Sequence, residues 1–112
     1  MSEYHLSFLP QFSDDLNEAV SYITYRLKNP QAADDLIDAV DEAINERLQN
    51  PEVFEQYPSK RKRPHAYYRI YVKNYIVFYV VLVTNIGKVM EVRRLLHTLQ
   101  VLIPGKRNGS SA

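Results

Sequence analysis

Four consecutive basic residues are the first feature of this sequence that could carry chemistry: Lys60, Arg61, Lys62 and Arg63. They lie between two prolines and lead into a segment rich in tyrosine and arginine. Lysine and arginine neutralise phosphate groups, and each neutralised phosphate adds affinity for nucleic acid. The run therefore indicates a phosphate-binding surface. The alternative is a charged loop that contacts only solvent.

Two further candidates for chemistry lie at strand positions. Arg69 follows two tyrosines, and aromatic rings beside a guanidinium group can stack nucleic-acid bases. His97 lies three residues after Arg94, and a histidine near an arginine can act as a general acid or base. Arg69 and His97 are therefore the candidate catalytic residues. The alternative is that the tyrosines pack in the sheet and that the histidine is structural.

Charge is divided unevenly along the 112 residues, although the formal net charge is only +1. Acidic residues are concentrated in residues 13–55, and Glu91 is the only acid from residue 59 onward. Such asymmetry indicates an anionic partner for the C-terminal half. The absence of cysteine excludes disulfides and thiolate zinc sites and fits a cytoplasmic protein.

Neither a cofactor, a metal nor a membrane is expected. The three histidines, His5, His65 and His97, do not have a metal-binding spacing, and no glycine-rich phosphate loop is present. The N-terminus lacks the pattern of a signal peptide. The longest apolar stretch, residues 75–83, is too short to span a bilayer.

The elements that must position these residues begin with a strand and two helices. Alternation over residues 4–8 predicts a short strand. Ser13 or Asp14 is then expected to cap a helix, with an apolar stripe that runs to Leu27. Asn29-Pro30 ends this helix and begins the next, because Asn caps and Pro suits the first helical turn. The two helices are expected to form a hairpin.

Three strands, at residues 67–72, 75–83 and 88–96, follow with short turns between them and predict an antiparallel meander. The predicted fold class is α+β, in the order β-α-α-β-β-β. A small, mostly antiparallel four-stranded sheet carries the helical hairpin on one face. Arg93 and Arg94 should point to opposite faces. One domain is expected over residues 1–103, followed by a polar flexible tail at 104–112.

Three strings resemble the RelE/ParE superfamily of bacterial type II toxins, and ParE-like members more than RelE-like ones. They are YHLSFLPQFSDDLNEAVSYI, YYRIYVKNYIVFYVV and VMEVRRLLHTLQ, and the resemblance covers roughly residues 3–100. The most specific motif within them is Arg94-Leu95-Leu96-His97, at the end of the last predicted strand.

The resemblance implies a toxin that inhibits DNA gyrase by binding it. It also implies neutralisation by a cognate antitoxin, and contact with operator DNA only through that antitoxin. The expected binding surface includes Arg93, Arg94 and His97 and continues through the apolar run from Leu99 to Leu102. The alternative for this apolar run is packing on the helices or contact with the antitoxin.

A RelE-like endoribonuclease that cuts mRNA on the ribosome is the alternative function. Phosphates would then be bound by residues 60–63 and Arg69, with His97 as the acid or base. The sequence departs from the RelE-type pattern, because Ile76 and Thr98 stand near positions where that pattern has cations. A third alternative is a protein of this fold that has lost toxicity and persists in a DNA-regulating complex with its antitoxin.

Overall fold

The chain folds into one mixed sheet with helices on one face, in a computed structural model that describes residues 4–58 and 64–102, with side chains as far as Gln100. The elements in chain order are β1 (Tyr4–Phe8), α1 (Pro10–Ser21), a π-helical turn (Tyr22–Arg26), α2 (Pro30–Arg47), β2 (Tyr68–Val72), β3 (Tyr75–Thr84), β4 (Gly87–His97) and α3 (Thr98–Leu102). The predicted fold class is confirmed. The predicted tail at 104–112 lies outside the described residues.

Helix α1 begins at Pro10, which corrects the predicted cap at Ser13 or Asp14. The backbone N–H of Leu9 still donates to Val92 O at 2.9 Å, so the chain leaves the sheet and enters the helix without a separate loop. Proline suits this first position because its missing N–H has no partner in the first turn of a helix. The early start buries Phe12 in the core.

The π-helical turn after α1 explains why one predicted core residue is exposed. Its i→i+5 bond, from Leu27 N–H to Tyr22 O at 3.1 Å, adds a residue to the turn and shifts the phase of the apolar stripe. Leu27 is consequently 55% exposed. Asn29 then caps α2 as predicted, because its Oδ1 accepts from Ala32 N–H at 3.1 Å.

The strand order in the sheet is β1-β4-β3-β2. The β1–β4 pair is parallel, and the β4–β3 and β3–β2 pairs are antiparallel. Two-residue turns join the meander, Lys73-Asn74 between β2 and β3, and Asn85-Ile86 between β3 and β4. The register between β3 and β4 shifts at Phe78 and Tyr79, so that β4 contains a bulge at Arg93.

The main core lies between the helices and one face of the sheet. Its side chains come from both helices and from alternate positions of β2, β3 and β4, among them Leu36, Val40, Val77, Tyr79 and Val92. The other face of the sheet, which no helix covers, is partly covered by aromatic side chains. Phe78, of the opposite parity to Val77, is only 6% exposed because the rings of Tyr57 and Tyr67 contact it edge-on.

A polar network anchors the chain where α2 ends. The buried Tyr79 hydroxyl donates to Pro51 O at 2.7 Å and accepts from Arg47 Nη1 at 2.9 Å. Arg47 also donates to the carbonyl of Arg69 at 3.2 Å, and its Cζ lies 3.6 Å from the centre of the Phe54 ring. Burial raises the pKa of the Tyr79 hydroxyl, which therefore stays protonated as a donor. The network fixes α2 and the segment after it against β2 and β3.

We expect Tyr79→Phe to lower the free energy of unfolding by about 1–3 kcal/mol, because Arg47 and the Pro51 carbonyl each lose a buried partner. Urea denaturation measures the change. The matched control is Tyr71→Phe, at a tyrosine that is 64% exposed, and it should change stability by less than about 0.5 kcal/mol. Equal effects of the two substitutions would contradict the role given to the network.

Candidate functional site

The bulge in β4 interrupts the alternation of the strand at Arg93 and Arg94, and the two guanidinium groups reach different neighbours. Arg93 lies on the face away from the helices, where it donates to Glu91 at 2.9 Å and to the Tyr67 hydroxyl at 3.1 Å. Arg94 reaches the edge of the sheet and donates to Asp15 of α1 at 2.7 and 3.2 Å. Each guanidinium is therefore paired with a carboxylate inside the fold.

Asp15 joins α1 to β4. Besides binding Arg94, its Oδ2 accepts from the backbone N–H of Leu95 at 3.0 Å. Burial opposes ionisation of Asp15, but the hydrogen bonds from Arg94, Leu95 and Gln11 outweigh it and lower its pKa below the usual value. The carboxylate is therefore ionised at neutral pH and holds the end of β4 in place.

A cleft of about 490 Å³ opens beside this ion pair, between α1 and the end of β4. Its polar lining residues are Asp15, Glu18, Tyr22, Tyr75, Arg94, His97 and Gln100. Short-range bonds fix the strand end, since Gln100 Oε1 accepts from His97 N–H at 2.7 Å and His97 Nδ1 accepts from Leu99 N–H at 3.1 Å. Because Nδ1 accepts, the neutral imidazole carries its proton on Nε2.

Leu99 extends this region to the surface, because it is 57% exposed at the start of α3. We call Arg94, His97, Leu99 and Gln100 the C-terminal surface. The sequence predicted all four of these residues, together with Arg93, which instead lies on the other face of the sheet. The side chain of Leu102, which was predicted with them, lies outside the described residues.

The opposite face of the sheet carries a second group of cations and rings. The Arg69 guanidinium lies 5.1 Å from the centre of the Tyr57 ring and 5.8 Å from that of Tyr71. Arg93 lies 5.7 Å from the centre of the Tyr67 ring. We call Tyr57, Tyr67, Arg69, Tyr71 and Arg93 the arginine–tyrosine face. Lys60, Arg61, Lys62 and Arg63 lie outside the described residues.

The two candidate catalytic residues are not brought together. His97 pairs with Tyr75 across the sheet and contacts its ring at 5.1 Å, on the side of the helices. Arg69 pairs with Phe78, whose side chain points to the other side. A site that uses both Arg69 and His97, as the ribonuclease alternative requires, therefore does not form from these two side chains.

Sequence reasoning missed two residues that shape these surfaces: Asp15 and Tyr57. No role was predicted for Asp15, although its position four residues before Ala19 places it beside the buried stripe of the helix. No signal pointed to Tyr57, which reaches its site through an irregular segment. Within the described residues, no cluster of histidine and carboxylate side chains is suited to a metal, and no helix is long and apolar enough to cross a membrane.

Comparison with known proteins identifies the family. Residues 6–102 match the sequence model of the ParE toxin of the type II toxin–antitoxin system parDE. The chain belongs to the ParE toxin family. A search of the curated proteins finds no significant match.

A solved structure supports the fold. A chain described as the chromosomal ParDE toxin–antitoxin system from P. aeruginosa superposes with a TM-score of 0.67, over 85% of this chain and 96% of that one. The sequence identity is 15%, so this likeness concerns the fold alone. As a member of a toxin–antitoxin family, this ParE-family chain has a cognate antitoxin as its implied partner.

Asp15→Asn should lower the free energy of unfolding by about 2 kcal/mol at pH 7, because it removes a charged partner of Arg94. Because folding lowers the pKa of Asp15, its contribution is complete above the unfolded value near 3.8 and is lost as pH falls through the lower folded value. The difference between wild type and variant should therefore shrink in acid. Urea denaturation at a series of pH values measures it.

Asp14→Asn is the matched control, because Asp14 is an exposed neighbour on the same helix. It should leave stability within about 0.5 kcal/mol of wild type throughout. A difference for Asp15→Asn that stays constant from about pH 7 to about pH 2 would show that the ionised carboxylate does not hold β4.

Proposed function

We propose that this ParE-family toxin inhibits DNA gyrase by binding it, and that its cognate antitoxin neutralises it. The observation that carries the proposal is the family match, which extends over residues 6–102 and so includes every described helix and strand except the first residues of β1. Gyrase acts on chromosomal DNA, so the proposed place of action is the cytoplasm. Operator DNA is reached, in this proposal, through the antitoxin.

The C-terminal surface is the proposed contact with gyrase. It combines an exposed apolar side chain, Leu99, with a histidine and a glutamine at the mouth of a cleft. Protein–protein contacts combine an apolar centre with a polar rim, and Leu99 with the polar groups beside it would supply both. Hydrogen bonds at His97 and the ion pair of Arg94 hold these groups in fixed positions, which lowers the entropic cost of binding.

The ribonuclease alternative gains no support from the described residues. Its acid or base, His97, and its phosphate ligand, Arg69, lie on opposite faces of the sheet. A general acid must lie within hydrogen-bonding reach of the reacting group, and a phosphate held by Arg69 is on the wrong side of the sheet for that. Binding without hydrolysis therefore remains the proposal that fits the geometry better.

Leu99→Glu should weaken inhibition of gyrase supercoiling at least tenfold, because a charge would be buried at the centre of the proposed contact, and a tenfold loss corresponds to about 1.4 kcal/mol. The matched control is Ile86→Glu, at an exposed apolar residue in the β3–β4 turn that is 67% exposed. It should leave inhibition unchanged. Titration of purified toxin into a supercoiling and DNA-cleavage assay measures both.

Wild-type protein that leaves supercoiling unchanged at large excess, with no stabilised cleavage of DNA, would exclude gyrase as the target. Equal losses from Leu99→Glu and Ile86→Glu would instead exclude the C-terminal surface while leaving the target in place. Induction in cells without the antitoxin, followed by measurement of DNA and protein synthesis, separates the two functions. The proposal expects DNA synthesis to stop first, and the ribonuclease alternative expects protein synthesis to stop first.

A further inference from the structure

Arg69 differs from the other arginines of the sheet in what surrounds its charge. Arg93 and Arg94 each form an ion pair, with Glu91 and Asp15 respectively. Among the residues that the structure describes, no carboxylate lies within ion-pair distance of Arg69. Its described side-chain contacts are instead the rings of Tyr57 and Tyr71. A positive charge is thus held in place by aromatic rings and is left without a counter-charge.

The position of Arg69 is fixed although its charge is not neutralised. Its carbonyl accepts from Arg47, and it pairs with Phe78 within the β2–β3 ladder. Arg69 is half-buried, and the two neighbouring rings restrict its side chain. A guanidinium that is held in place and has no carboxylate partner favours an anion, because little ordering remains to be done when the anion binds.

Residues 56 and 57 are held next to the start of β2. Tyr57 N–H donates to Tyr67 O at 2.6 Å, and Gln56 forms an antiparallel bridge with Tyr68. These bonds hold the Tyr57 ring beside the Arg69 guanidinium. From residue 56 to residue 90 the sequence contains no acid, and Glu91, which lies on this face, is already paired with Arg93.

We propose that the arginine–tyrosine face binds single-stranded nucleic acid, with Arg69 on a phosphate and Tyr71 stacked on a neighbouring base. Tyr71 is 64% exposed beside the guanidinium, so its ring is accessible to a flat ligand. Single-strand binding surfaces combine cations that contact the backbone with rings on which bases stack. This activity is separate from the binding of gyrase, because it uses the opposite face of the sheet.

Single-stranded nucleic acid fits this face better than a duplex or an acidic peptide does. A duplex hides the faces of its bases, so an exposed tyrosine would gain nothing from it. An acidic peptide could satisfy Arg69 but offers no π-face for Tyr71. RNA and single-stranded DNA share the chemistry that is proposed, and a comparison of the two identifies the source.

Fluorescence anisotropy with labelled oligonucleotides of about 12 units tests the proposal, with RNA, DNA of the same sequence and the corresponding duplex as separate probes. Arg69→Gln should weaken single-strand binding about tenfold and reduce the salt slope of log K by about 1. Tyr71→Leu should weaken it about tenfold with no change in the salt slope. The tighter of the two single-stranded probes shows whether RNA or DNA is the preferred ligand, and either result supports the proposal.

Matched controls remove the same groups from the helical side. Arg26→Gln removes an exposed arginine from the π-helical turn, and Tyr25→Leu removes a tyrosine that is 74% exposed. Both should leave binding within about twofold of wild type, which is within the effect of an ordinary surface change. Unfolding curves for all four variants confirm that each variant is folded before its affinity is compared.

Four results would overturn the proposal. They are absence of single-strand binding, equal or tighter binding of the duplex, equal losses from Arg69→Gln and Arg26→Gln, and displacement of the oligonucleotide by polyglutamate at equal charge concentration. The gyrase assay distinguishes this failure from failure of the proposed function. Arg69→Gln should inhibit supercoiling as well as wild type does, whichever way the anisotropy experiment comes out.

Discussion

The outer edge of β4 is the constraint on which the rest of the structure depends. β4 has eleven residues and its parallel neighbour β1 has only five, so β1 covers only the first part of that edge. Backbone groups beyond Val92 need another partner, because an unpaired N–H at a partly buried edge is costly. Asp15 supplies it by binding both Leu95 and Arg94. This interaction sets the position of α1 and, with it, the cleft beside the C-terminal surface.

Local sequence signals predicted the elements well, because each depends on neighbours in the chain. Asn29-Pro30 separates the helices, Lys73-Asn74 turns the chain, and alternation defines the strands. The signals missed what depends on distant partners. Asp15 meets Arg94 from 79 positions away, and the start of α1 at Pro10 follows from the bond between Leu9 and Val92. Of the candidate site residues, Arg94, His97 and Leu99 lie near one another as predicted, but whether they form a site stays a prediction. Arg69 and His97 were predicted to act together and lie on opposite faces, because linear spacing does not reveal which face a distant residue occupies.

The fold redistributes the charge that the sequence displays. From residue 59 onward the sequence has one acid among many basic residues, but in the fold two of these arginines form ion pairs, Arg93 with Glu91 and Arg94 with Asp15. These ion pairs reduce the contribution of Arg93 and Arg94 to the electrostatic potential at the protein surface. Within the described sheet, the guanidinium without a carboxylate partner is that of Arg69, on the face away from the helices. The two faces consequently differ in character. One presents an apolar residue and a cleft, and the other presents a guanidinium between rings.

The bond between Tyr57 and Tyr67 has a consequence for how such a protein can change over generations. Because the two ends of the intervening segment are held by the sheet itself, its length and composition can vary without disturbing the register of β2. Doubling the length of a closed loop costs only about 0.6 kcal/mol. The sequence between residues 57 and 67 can therefore change while the sheet keeps its register. Selection can retune its charge for a new partner while the scaffold stays the same.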